Sequence, residues 1–107
     1  MPFDIILAPA AVKALRKLSG RERARVKDTI KRHLTHEPTK LSKSRIKRLR
    51  GLRQPQYRLR VGDIRVFYDV TETAVEILSI IPKSQAEAWL AEKGTAGRGS
   101  GVGSGEG

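Results

Sequence analysis

Tyr57-Arg58-Leu59-Arg60-Val61-Gly62-Asp63-Ile64-Arg65-Val66-Phe67-Tyr68 contains two alternating runs joined by Gly-Asp. Apolar and polar residues alternating with period two mark half-buried strands. A two-residue Gly-Asp connection marks a tight hairpin of type I′ or II′. The register follows from the loop length. Val61 faces Ile64, Arg60 faces Arg65, Leu59 faces Val66, Arg58 faces Phe67 and Tyr57 faces Tyr68. Side chains of a strand alternate between faces. Arg58, Arg60, Arg65 and Phe67 therefore share one face. Tyr57, Leu59, Val61, Ile64, Val66 and Tyr68 form the other, which is the core face.

Working outward, residues 3–7 form a short apolar run, the first strand. Pro9 suits the first turn of a helix, and Val12, Leu15 and Leu18 recur at helical spacing. Ser19 and Glu22 have the spacing of a capping box. Val26, Ile30 and Leu34 then give a second helix its apolar stripe. The two helices read as a hairpin. Pro38 breaks the chain, and residues 36–44 are loop. Ile46, Leu49 and Leu52 do not choose between a strand and an irregular segment, and Gly51 marks a turn or bulge. Past the hairpin, Thr71-Glu72-Thr73 turns into a central strand over residues 75–81. Ser84 and Glu87 again have capping-box spacing and open a short helix that carries Trp89 and Leu90 and stops at Gly94. The order is β-α-α-β-β-β-α. This is a small α+β domain, with a helical hairpin packed on a mainly antiparallel four-stranded sheet. It fills residues 1–94. Residues 95–107 contain six Gly among small polar residues and are expected to be a disordered tail.

The 107 residues carry 22 Lys plus Arg against 11 Asp plus Glu, a net charge of +11. The excess is concentrated. Residues 38–65 hold ten basic side chains against Asp63 alone, a net of +9. A solubilising surface normally mixes both signs. A one-sign block predicts a polyanionic partner, nucleic acid or an acidic protein, and Lys43, Arg45, Lys47, Arg48, Arg50 and Arg53 are the candidate nucleic-acid contacts. Arg60 opposite Arg65 is destabilising in a sheet unless an anion lies between them. The arginine fork suits phosphate. The bland alternative is that these long side chains splay apart and solvate the sheet. Phe67 can stack on a base from the same face, or it can pack under the first or last helix.

Several classes fall away. The chain has no cysteine, so there is no disulfide, thiolate metal site or thiol nucleophile. No apolar run approaches the roughly 20 residues of a membrane span. The Met1-Pro2-Phe3-Asp4 start lacks a signal-peptide pattern. A cytoplasmic location is expected. His33 and His36 alone make no metal site, and the basic half lacks the acidic cluster that Mg²⁺ needs. No metal and no small-molecule cofactor are expected.

Lys47-Arg48-Leu49-Arg50-Gly51-Leu52, the segment from Tyr57 to Tyr68, and the ending from Pro82-Lys83-Ser84 to Trp89-Leu90 resemble the RelE/ParE toxin superfamily. The resemblance runs over about residues 3–94. It implies a toxin of a type II toxin–antitoxin module. The RelE branch implies a cytoplasmic, metal-independent endoribonuclease, an mRNA interferase that inhibits translation at the ribosome. On that resemblance Lys43, Arg45, Lys47, Arg48, Arg50 and Arg53 are RNA contacts. Its attack comes from the ribose 2′-OH on the adjacent phosphate. The family's basic hairpin positions fall on Arg58, Arg60 and Arg65. Where the family often has an arginine after the last strand, this chain has Lys83 and Ser84. Where it commonly has a tyrosine, this chain has Trp89 and Leu90. Tryptophan exchanges no proton, so Lys83 is left as the candidate base. Two alternatives stay open: a ParE-like poison of DNA gyrase, and a non-catalytic binder of RNA or the ribosome. Each toxin reading implies a small acidic antitoxin whose helix or strand covers the arginine face.

Overall fold

The computed structural model describes residues 1–96. Its elements are β1 (Asp4–Leu7), α1 (Pro9–Lys17), α2 (Gly20–Leu34), β2 (Ile46–Arg48), β3 (Leu52–Gln54), β4 (Tyr57–Val61), β5 (Ile64–Val70), β6 (Ala74–Pro82), α3 (Lys83–Lys93) and β7 (Thr95–Ala96). The main sheet has five strands in the order β1-β6-β5-β4-β2. That is one more than the sequence pattern implied. The additional strand is β2, where three residues pair antiparallel with β4. Ile46 is buried there opposite Leu59, so the undecided segment becomes an edge strand through a single apolar anchor. β1 runs parallel to β6 and the other pairings are antiparallel.

The central hairpin has the register read from its loop, with Arg60 opposite Arg65 and Arg58 opposite Phe67. Gly62 has φ +58, and no non-glycine residue among those described has positive φ. Type I′ needs positive φ at both loop residues, so the turn is of the II′ kind. Pro9 opens α1 and Ser19 caps α2, its Oγ accepting the Glu22 N–H at 3.1 Å. Arg23 donates to the Leu15, Arg16 and Leu18 carbonyls. These bonds satisfy the open C-terminal end of α1 and fix the helical hairpin.

α1 and α2 cover one sheet face. Ala11, Leu15, Val26, Ile30 and Leu34 join Leu59, Val66, Tyr68, Val75, Ile77 and Ile80 in the core. The buried Tyr68 hydroxyl donates to the Pro38 carbonyl at 2.6 Å, and burial pushes its pKa up. A β-bulge at Leu78 shifts the pairing from Phe67↔Ser79 to Tyr68↔Ile77. The extra residue flips the alternation, so Val75 and Ile77 point into the core and so does Ile80.

Two expectations at the C-terminal end change. Ser84 does not cap α3. The helix starts at Lys83 after Pro82, with no side-chain cap, and the Lys83 N–H donates to the Asp63 carbonyl at 2.7 Å. The hairpin turn takes the place of the cap. Thr95 and Ala96, assigned to the tail by composition, pair with β3. The rest of the expected tail, residues 97–107, lies outside the described residues.

Candidate functional site

The second sheet face carries the arginines, and α3 lies against it through one aromatic contact. Phe67 and Trp89 stack with centroids 5.0 Å apart and planes 11° from parallel. Phe67 is 1% exposed. It is therefore packed under the last helix and offers no face to a base, which corrects its assignment as an RNA contact. Trp89 is committed to the same stack.

Beside this stack lies a cleft of about 470 Å³, lined by Lys47, Arg58, Arg65, Phe67, Lys83 and Glu87 among others. Register explains the convergence. Lys47 of β2 pairs with Arg58 of β4, which pairs with Phe67 of β5. Pairing of Ile64 with Pro82 and the Asp63–Lys83 backbone bond set the start of α3 beside Arg65. Lys83 and Glu87 are one helical turn apart and share a side of α3.

The charges are poorly compensated. Among the described residues the ion pairs are Arg32–Asp28, Lys40–Glu37 and Lys93–Glu92, none of them in the cleft. Arg58 is held below the ordinary arginine value, first by burial and then by Arg65 and Arg60. Its Nε is buried with no hydrogen-bond partner among the described residues. Arg65 is lowered by burial and by Arg60, with Asp63 opposing. It is 7% exposed, and its Nη1 donates to the Gly62 and Ile64 carbonyls of its own turn. Arginine has five N–H donors, so three remain on Nε and Nη2. The buried Arg58 Nε, a donor without an acceptor among the described residues, costs about 1–3 kcal/mol. An anionic ligand would remove that penalty and relieve the repulsion together.

The sequence-predicted residues divide. Arg58, Arg65, Lys83 and Lys47 meet in the cleft. Arg60 is exposed opposite Arg65, outside the cleft lining. Arg48 turns to the other face, where it lies 5.1 Å from the Tyr57 ring centroid and donates to the Gln56 carbonyl. Arg53 belongs to β3, in the small two-stranded sheet. Arg45 lines a separate cavity below α2. Lys43 and Arg50 are exposed in connections. Glu87 was missed as a site residue, because a capping role had absorbed it. Its position one turn after Lys83 was the available signal. Among the described residues no cluster of three or more His, Cys, Asp or Glu could hold a metal ion, and no helix is long and apolar enough to cross a membrane.

Residues 5–87 match the model of a family described as the ParE toxin of type II toxin–antitoxin systems. The archaeal RelE–RelB complex from Pyrococcus horikoshii contains a chain 28% identical, with TM-score 0.65, covering 79% of this chain and 99% of that one. A chain of the RelBE2 toxin–antitoxin complex from Mycobacterium tuberculosis is 27% identical, with TM-score 0.64, covering 77% and 99%. A mutant of the E. coli toxin RelE in the free state shares the fold, at 23% identity and TM-score 0.64, covering 83% and 92%. No curated protein gives a significant sequence match.

Proposed function

The chain belongs to the ParE toxin family of type II toxin–antitoxin systems, and from that premise we propose that it inhibits translation as a metal-independent, ribosome-dependent mRNA endonuclease. The observation that carries this reading is the cleft, where the unpartnered Arg58 Nε, Arg65, Lys47 and Lys83 line one concavity without an ion pair. Such a site suits an RNA phosphate. The ribose 2′-oxygen attacks the adjacent phosphorus, forming one P–O bond as the bond to the 5′-oxygen breaks. Arg58 and Arg65 stabilise the charge that builds on the phosphoryl oxygens, and exposed Arg60 holds a flanking phosphate. A guanidinium stays protonated and is no base. Lys83 was the expected base. The carboxylate of Glu87, one turn away, is the better proton acceptor for the 2′-OH. Lys83 then donates a proton to the departing 5′-oxygen.

A second reading has its own support. The matching family is named for ParE, and Ser84 stands where a RelE-like arginine is expected. On that reading the toxin binds DNA gyrase, and the cleft cations are contact residues. A cognate antitoxin is proposed in either case. The similar Pyrococcus and Mycobacterium chains come from toxin–antitoxin complexes, and a cationic cleft favours a small acidic protein as its cover.

Primer-extension mapping of mRNA on programmed ribosomes tests the choice. Cuts at A-site codons that disappear with Arg58→Met and with Glu87→Gln are expected. Translation arrest without cuts would leave occupancy of the ribosome. Normal translation together with inhibited gyrase supercoiling would transfer the assignment to the second reading.

A further inference from the structure

Where α2 ends, the chain folds back toward β2 and encloses a second cavity of about 390 Å³. Arg32, His33, His36, Lys40, Ser42 and Arg45 are among its lining residues. They come from three places: the last turn of α2, the connection that follows, and the residue leading into β2. Two of the cations already have partners. Arg32 pairs with Asp28 at 2.8 Å and Lys40 with Glu37 at 3.7 Å, both exposed. Exposed pairs of this kind are weak and exchange readily with a competing anion. Arg45 has no acid partner among the described residues.

Arg45 is nevertheless held in place. Its N–H donates to the Ser42 Oγ at 2.9 Å, and its carbonyl accepts the Arg60 N–H at 2.9 Å. The second bond joins this cavity to the arginine face across the edge of the sheet. The sign of the local potential is visible in His33. Burial lowers its pKa first, then Arg45 and Arg32, and Asp28 only partly offsets them. His36, Lys40 and Glu37 face the same cavity from the connection.

We propose that this cavity is a second phosphate site, which holds the backbone of a single-stranded RNA as it leaves the arginine cleft, with Arg45 and Arg32 as its guanidinium donors and the His33 and His36 imidazoles facing the phosphate. The proposal rests on the nucleic-acid reading of the cleft. The chemistry is that of a phosphodiester against two guanidiniums and two imidazoles. A phosphate reverses the field at His33, so its pKa rises in the complex. Binding then takes up protons, and affinity increases as pH falls through the histidine range.

The experiment uses the full chain and a short single-stranded RNA, with inorganic phosphate as a separate probe. Fluorescence anisotropy measures RNA affinity against salt and pH, and NMR titration follows the two imidazoles. The expected result is an upward move of the His33 pKa on adding RNA, with tighter binding at lower pH. Arg45→Ala should reduce the salt slope of log K by about one, and His33→Gln should flatten the pH dependence. Arg45 is exposed and His33 half-buried, and circular dichroism checks that the variants fold. A histidine response to inorganic phosphate alone, with none to RNA, would reduce the site to a free-phosphate pocket and overturn the path. RNA binding that leaves both imidazoles and the Arg45→Ala slope unchanged would overturn the second site and spare the cleft. Absence of RNA binding would overturn both.

Discussion

Trp89→Ala tests whether α3 is a docked arm that carries part of the site. No residue of α3 is buried, and the core cluster contains none of its residues. An isolated helix of this length is marginal in water. Its attachment includes the Phe67–Trp89 stack, the Lys83–Asp63 backbone bond and, just past its end, the pairing of β7 with β3. Complete burial of a large apolar side chain contributes about 1.5–3 kcal/mol, so half-buried Trp89 contributes roughly 1 kcal/mol. The stacked geometry adds about 0.5–1.5 kcal/mol. Loss of both removes about 1.5–2.5 kcal/mol. At 1.4 kcal/mol per decade, local opening rises roughly 10- to 60-fold. Native-state hydrogen exchange reads this directly. In the unmodified protein, amides of residues 87–93 should open at lower free energy than those of β5. In Trp89→Ala their protection should fall by the factor above, while the Tyr57–Tyr68 near-ultraviolet signal persists. RNA cleavage should fall as well, since Lys83 and Glu87 are no longer held at the cleft. Unchanged α3 protection in the variant would refute this account. So would α3 amides that open only with the whole domain.

Arg60→Gln removes a directly opposed like charge. It should stabilise the fold by up to about 1 kcal/mol in urea denaturation while weakening RNA binding; a loss of stability would contradict the repulsion. His33 is held below its ordinary 6.5, so the folded state resists a proton that the unfolded chain accepts. Stability should be full above about pH 6.5 and decline as pH falls through the lowered folded value. His33→Gln should flatten that decline in urea midpoints measured across this range, and an equally steep decline would assign it elsewhere. Gly62→Ala places a Cβ at φ +58, with Arg25 Nη1 at 2.8 Å. The flexible arginine can move but the backbone strain stays, so a loss of about 1–2 kcal/mol is expected in thermal unfolding. No loss would mean that the turn had changed type.

The hairpin was legible in sequence because a two-residue loop and a period of two leave one register. From Gly62-Asp63 alone, Arg60 falls opposite Arg65 and Arg58 beside Phe67, as in the fold. The first two α-helices were legible for a similar reason, since Pro9 and the Ser19–Glu22 cap are local signals. The α3 start was not, because its cap is the Asp63 carbonyl, distant in sequence. β2 was not legible either, since three residues with one buried isoleucine carry no period.

The site divides along the same line. Charge counting located the basic block, and alternation placed three arginines on one face. Neither could say which of them share a cavity. That depended on β2 bringing Lys47 beside Arg58, and on α3 bringing Lys83 and Glu87 over the sheet. It also decided Phe67, which alternation put on the arginine face and Trp89 then covered. Within the hairpin, local rules determined the direction of each side chain, because direction there depends on neighbours in the chain. Burial, pairing and the unsatisfied Arg58 Nε were decided by the tertiary structure, because they depend on elements far apart in sequence that meet only when the sheet is assembled.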